Sequence, residues 1–365
     1  MEKDPFKKYI LESEPTKKEL GYSWYTAIGL QKVDGLETSE YLKSIAIKNI
    51  DGDISLEKAE KLINSYYEEN RNYLSDYEEA DKVSVNIAKI LSEKSFVFTP
   101  AQYLDIHKQI FTNVYPDAGK IRTFNVSKRE WVLDGDTVLY GGASLLKETL
   151  EYDFNIEKNF DYSAISQEEF LVHISRFISD LWQIHVFSEG NTRTTAVFLI
   201  KYLRKFGYDV TNEVFAQNSW YFRNALVRAN YTNIEKGIFE TTRYIELFLE
   251  NLLFNRNNEL KNRYLHIRWN EKEDIEELKV DIAKNKVDIG KANLSKMIRK
   301  NVEILFQALK DFEYFGRKEI IDVLKMSPSG ASKLISKLLD KKIIIKVLNH
   351  GKGKYCFNIN RVNYE

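Results

Sequence analysis

The chain has 365 residues and a mass of 42.9 kDa, more than one small hydrophobic core usually accounts for. With 43% hydrophobic and 30% charged residues it has the composition of a soluble globular protein, not of a disordered one. Its 54 basic residues balance 54 acidic ones, which excludes a globally basic nucleic-acid binder.

The single cysteine, Cys356, excludes an internal disulfide and fits a reducing compartment. Met1 to Pro5 lack the basic start and apolar run of a signal peptide, and no 18-residue apolar stretch follows. The expected location is therefore cytoplasmic, with no membrane partner. Only five prolines occur, and apolar residues recur at three- and four-residue spacing, so the fold class expected is mainly α.

Four segments are expected. The first, 1–82, contains a helix that Ser55 caps, with Leu56, Ala59, Leu62, Ile63 and Tyr66 as its apolar stripe. Ten acidic residues lie between Asp51 and Asp81 against Lys58, Lys61 and Arg71. The second, 83–255, holds a non-helical stretch at 122–136, where Asp134-Gly135 after alternating residues marks a short β-hairpin. Later in it, Ser166 and Glu169 form a capping box. Phe170, Ile174, Phe177, Ile178 and Leu181 continue at helical spacing, and His185 falls on the same face.

A polar, charge-alternating helix around 271–296 reads as a connector within 256–296. The last segment, 297–365, carries fourteen Lys or Arg against seven Asp or Glu. It reads as helices ending with 317–324 and 329–339, then strands 343–348 and 355–359 about a turn at 349–353. That order is a winged helix-turn-helix. Ser329, Ser332, Lys333, Ser336 and Lys337 on its second helix, with Lys352 and Lys354 on the wing, can meet DNA phosphates. The alternative is a fold used for packing or protein contact. No arginine lies on that helix, which argues against strong base readout.

The densest chemistry is His185-Val-Phe-Ser-Glu-Gly-Asn-Thr-Arg193. An isolated histidine on an apolar face is usually a core residue. A buried loop of Glu, Gly, Asn and Arg is costly unless something binds there. Gly190 lets backbone amides approach an anion, and Thr192 is the expected N-cap of a helix over 193–206 that Gly207 ends. Amides, helix dipole and the Arg193 guanidinium together favour phosphate. Glu189 is an oxygen ligand suited to Mg²⁺ shared with phosphates, and His185 can take a proton from a hydroxyl. These parts fit phosphoryl or nucleotidyl transfer.

This loop resembles the His-x-Phe-x-[Asp/Glu]-Gly-Asn-Gly-Arg-x-x-Arg motif of the Fic (Fido) protein adenylyltransferases. The resemblance implies a helical Fic domain with a β-hairpin flap, and AMP transfer from Mg·ATP to a Ser, Thr or Tyr hydroxyl of a protein. It implies His185 as general base, Glu189 as the Mg²⁺ ligand, and Gly190, Asn191, Thr192 and Arg193 as the nucleotide-binding turn, with Phe187 as anchor. Residues 110–123 look like the family's lead-in to its flap. Ser127, Lys128, Arg129, Glu130, Trp131 and Val132 become the implied docking strand for a target. Two positions depart from the motif: Thr192 replaces a glycine, and Ala196 replaces the final arginine. The family's kinase-like branch has a lysine where Thr192 stands and an alanine-like residue for Gly190, so adenylylation is favoured over phosphorylation.

Many Fic proteins also carry an inhibitory pattern, [Ser/Thr]-x-x-x-Glu-[Gly/Asn]. Ser65, Glu69 and Asn70 fit it, and the stretch 29–36 resembles fused antitoxin-like segments. The usual partner of the inhibitory glutamate is missing at Ala196, so Glu69 is expected to pair with Arg193 or to repel the γ-phosphate. Two alternatives stand beside an autoinhibited transferase. One is a DNA-binding or toxin–antitoxin-type regulator with a weakly active Fic domain; the other is a de-AMPylating enzyme.

Overall fold

The computed structural model describes residues 15–70, 75–210, 213–269 and, with gaps, 301–357. The expected connector helix at 271–296 and the wing residue Lys352 lie outside the described residues. Two compact units are present, Met1–Arg268 and Trp269–Glu365.

The first unit packs helices around one continuous core that runs from Trp24 to Leu265. The expected boundary at residue 82 falls inside a helix, Ser75–Ser92, and both sides of it contribute to that core. In chain order the described helices are α1 (Pro15–Gly29), α2 (Glu40–Ile50), α3 (Leu56–Glu69), α4 (Ser75–Ser92) and α5 (Pro100–Phe111). There follow α6 (Leu146–Lys158), α7 (Gln167–Ile184), α8 (Asn191–Lys205), α9 (Val214–Ala229) and α10 (Arg243–Phe254).

Local chemistry sets where several of them start. Ser55 Oγ accepts the Lys58 amide at 3.2 Å, as its position predicts. The Ser166–Glu169 capping box is formed in both directions, at 3.2 and 2.7 Å. α7 then buries Phe170, Ile174, Phe177, Ile178 and Leu181.

α1 is joined tightly to the rest of the unit. At its end, a Cβ on Gly29 would lie 2.4 Å from the Ala216 Cα of α9, so the two backbones touch there and only glycine fits. A short 3₁₀ turn, Leu30–Asp34, follows and is closed by Gly35 in the left-handed region. This delivers Asp34 to the cleft beside α8.

The expected β-hairpin at 122–136 is a different structure. Asp134 and Gly135 both have positive φ, 58° and 84°, as a tight hairpin turn requires. No ladder flanks them: among the described residues 122–145 contain no strand, and Trp131–Leu133 is a 3₁₀ turn. The reason is side-chain burial. Glu130 and Val132 turn inward to full burial, and Val132 O accepts the Ile267 amide at 2.9 Å. Across the loop the Glu130 amide still bonds Asp136 O at 2.8 Å and the Gly135 amide bonds Glu130 O at 3.0 Å, so the turn is closed without a ladder.

In the second unit, α11 (Arg317–Leu324) and α12 (Pro328–Asp340) precede β2 (Ile344–Lys346) and β3 (Lys354–Phe357). A two-residue β1 (Phe315–Gly316), absent from the sequence-based expectation, completes an antiparallel sheet of order β1-β3-β2. Lys333, Ser336 and Lys337 lie exposed on α12, while Leu334, Ile335 and Leu338 are buried.

Candidate active site

His185 ends α7 in the left-handed conformation, φ 52° and ψ 55°. A non-glycine residue there is strained, and it persists because Arg122 holds the turn. Arg122 Nε donates to His185 O at 2.7 Å and Nη2 to Gly141 O at 2.6 Å, while its amide bonds Val186 O at 2.9 Å. The imidazole is 3% exposed and packs on the Tyr140 ring, centroids 4.1 Å apart. Neither ring nitrogen has a hydrogen-bond partner among the described residues. Burial, then Lys128, Arg122 and Arg223, push its pKa down to about 3, so it is neutral at pH 7. A neutral imidazole with a free lone pair can accept a proton.

Gly190, not Thr192, is the N-cap of α8, with φ 75°. A Cβ there would meet the Phe111 ring at 2.3 Å. Thr192 lies in the first helical turn, where a β-branched residue is tolerated, and its Oγ1 accepts from Trp182 Nε1 at 3.0 Å. The Asn191 side chain braces the loop. Its Oδ1 accepts the Phe187 amide at 3.0 Å and its Nδ2 donates to Phe187 O at 2.8 Å. The first amides of α8, from Asn191 on, have no intrahelical acceptor, which suits a helix start to an anion.

Arg193 is 1% exposed and enclosed by acceptors from the N-terminal part of the unit. Nη2 bonds Glu79 at 2.7 Å and Tyr115 Oη at 3.3 Å; Nη1 bonds Gln31 at 3.1 Å. Asp34 Oδ2 lies 2.9 Å from Nε, out of line for a hydrogen bond, so this contact is an ion pair. Burial opposes the charge, but Asp34, Tyr115 and Glu79 outweigh it and hold the guanidinium firmly protonated. The carboxylates that meet Arg193 are those of Asp34 and Glu79. Ser65 and Glu69 are exposed on α3 and Asn70 caps its end, bonding Tyr66 O; none of the three bonds the loop.

Glu189 is the loop's one carboxylate, with its side chain 58% exposed and paired with Lys128 Nζ at 2.8 Å. Among the described residues no cluster of three acidic, His or Cys side chains is present to cage a metal. A lone exposed carboxylate fits Mg²⁺, which is commonly held by one or two carboxylates together with substrate phosphates.

Of the implied docking strand, Ser127, Arg129 and Trp131 are exposed and Lys128 is half-buried. Glu130 is buried against Arg223 at 2.6 Å and Tyr140 Oη at 3.1 Å, which makes it part of the wall behind His185. A cleft of about 790 Å³ opens between Asp34, Glu79, Glu189, Arg193, Trp220 and Arg223. Ala196 is fully buried in the core, so no cation reaches this cleft from there. Lys201 and Arg204, further along α8, bind the carbonyls of Ile90, Glu93 and Leu91 at the end of α4.

The loop between α7 and α8 thus brings a buried neutral histidine, a glycine-led helix start and an arginine together on one helix–loop–helix. Residues 97–203 match the Fic/DOC family model. A probable protein adenylyltransferase of Sinorhizobium fredii (strain NBRC 101917 / NGR234) is 31% identical over 111 residues, which cover 30% of this chain and 55% of that relative. The chain thus matches about half the length of that protein. A solved Fic family protein from Desulfovibrio desulfuricans G20 aligns over 95% of this chain and 97% of its own, with TM-score 0.39 and 13% identity.

Proposed function

We propose that the protein is a protein adenylyltransferase that moves AMP from Mg·ATP to a side-chain hydroxyl of a protein, and that its N-terminal turn holds it in check. The observation that carries this is the juxtaposition, on one loop, of a partnerless neutral His185 with the Gly190-led helix start and Arg193. His185 accepts the hydroxyl proton as oxygen attacks the α-phosphorus and the bond to pyrophosphate breaks. The amides opening α8 and Arg193 stabilise the phosphate charge. Glu189 holds Mg²⁺, which supplies charge neutralisation on the phosphates when bound.

The check is the cage around Arg193. While Asp34 and Glu79 occupy its guanidinium, phosphate must displace two carboxylates to reach it. This supports a resting state with reduced nucleotide affinity. The test is mass spectrometry after incubation with ATP and Mg²⁺, using wild type, His185→Ala and the pair Asp34→Asn/Glu79→Gln. A gain of one AMP that His185→Ala abolishes supports the reading. No gain in any protein, with the fold intact, defeats it.

The exposed Lys333 and Lys337 on α12 favour a second reading, in which a winged helix binds DNA and a weak Fic domain serves regulation. Binding through phosphates alone predicts affinity without sequence preference that falls steeply from low to moderate salt. Absence of binding at low salt removes this reading.

A further inference from the structure

His107, on α5, is 1% exposed and takes no part in the transfer described above. Its ring lies flat on Phe187, with centroids 3.7 Å apart and planes 11° apart. Gly119 N donates to Nδ1 at 2.8 Å, and Nε2 lies 3.1 Å from Glu189 O. Because Nδ1 accepts, the proton resides on Nε2, which therefore donates to Glu189 O. One imidazole thus ties together three separate stretches: α5, the segment leading to 122–136 and the loop between α7 and α8.

We infer that His107 is a positioning residue of the nucleotide site, fixing the backbone of Glu189 and with it the amides at the start of α8. The inference rests on the proposed nucleotide reading only for its consequence, since the bond itself is internal to the protein. Ser188 Oγ donates to Asp117 and Thr194 Oγ1 donates to Gly190 O at 3.0 Å, but neither bond reaches the Glu189 carbonyl. The Glu189 side chain points to solvent and Lys128, and Gly190 beside it is the residue with the most conformational freedom. Asn191 braces the loop toward Phe187, on the far side of Gly190. Without the His107 bond, the Glu189–Gly190 peptide keeps no side-chain anchor on its carbonyl. The amides that must face an anion then lose their fixed orientation.

Two substitutions separate the loop bond from the rest of the ring's role. Glutamine places an NH₂ near the Nε2 position and keeps the donor to Glu189 O. Asparagine places its carbonyl near Nδ1 and keeps only the Gly119 partner. Hydrogen exchange of the 186–193 backbone amides should rise about tenfold in His107→Asn and change less than twofold in His107→Gln, in line with the loss of one hydrogen bond. Mg·ATP binding by calorimetry should weaken in the same order, while the two thermal midpoints stay together. Equal loop exchange in the two variants would overturn the inference. In wild type, imidazole ¹⁵N shifts should report a protonated Nε2; a proton on Nδ1 would overturn it without any substitution. A wild type that binds no Mg·ATP would remove the nucleotide reading, whereas loop exchange would still decide the role of His107.

Discussion

Asp34 forms an ion pair with the Nε of Arg193 at 2.9 Å, although the two residues come from opposite parts of the first unit. With Glu79 on Nη2 at 2.7 Å, two carboxylates neutralise the cation that phosphate would need. A hydrogen bond to a charged group contributes roughly 1.5–3 kcal/mol. Asp34→Asn combined with Glu79→Gln should therefore raise incorporation of labelled AMP by about 10- to 100-fold at subsaturating ATP. Unchanged incorporation in a folded double variant would show that this cage does not restrain the site.

Glu69 provides the contrast. Its side chain is exposed on α3, where its one described electrostatic effect is on Tyr41. Glu69→Gly should leave labelled AMP incorporation within twofold of wild type. An increase like that expected for the double variant would instead support an inhibitory role for the Ser65–Asn70 pattern.

How much of this was legible in the sequence depended on whether the signal was local. The capping box at Ser166, the apolar face of α7 and the concentration of chemistry in 185–193 are short-range features, and all were readable. The stretch 29–36, which resembles antitoxin-like segments, contains Asp34. The resemblance did not single out Asp34, because what makes Asp34 matter is the close approach of α1 and α9 at Gly29. Glu69 fits the inhibitory pattern by spacing, but its side chain is exposed on α3. The same limit explains the flap. Asp134-Gly135 is a correct turn signal, yet alternation at 127–132 could not reveal that Glu130 bonds Arg223 and Tyr140 instead of lying on a strand. His107 carried no signal beyond lying on an apolar helix face.

Lys128 and Glu189 form a half-exposed pair at 2.8 Å, and such pairs contribute about 0–1 kcal/mol. Mg²⁺ binding at Glu189 must compete with that ammonium. Lys128→Met should lower the Mg²⁺ concentration for half-maximal AMP incorporation by up to about fivefold. A higher requirement would instead mean that Lys128 contacts the nucleotide directly.

His185 gives stability a specific pH dependence. Burial first, then the positive charges of Lys128, Arg122 and Arg223, hold its pKa near 3, against about 6.5 in the unfolded chain; Tyr140 faces it from the other side. Between those values the unfolded state binds the extra proton, so stability rises with pH and falls on acidification below about 6.5. Each pH unit in that window corresponds to at most about 1.4 kcal/mol from this one group. His185→Gln should flatten the curve of stability against pH between 6.5 and 4.5 by up to that slope, measured by urea unfolding. Parallel curves would mean that the ring is protonated in the folded protein.

Gly190 and Thr192 make opposite predictions, although the motif that this loop resembles has glycine at both positions. Gly190 has φ 75°, and a Cβ would lie 2.3 Å from the Phe111 ring. Gly190→Ala therefore combines left-handed strain with overpacking of about 1–3 kcal/mol. At about 2–4 °C per kcal/mol the thermal midpoint should fall by about 5 °C or more, and AMP incorporation should be lost. Thr192 is helical and accepts the indole N–H of buried Trp182 at 3.0 Å. Thr192→Gly should also lower the midpoint, through a lost hydrogen bond and a helical glycine at about 1 kcal/mol each, while leaving the backbone at Gly190 in place. Residual AMP incorporation in Thr192→Gly together with none in Gly190→Ala would fit the observed helix start at Asn191. Loss of both alike would place the anion contact one turn further along α8.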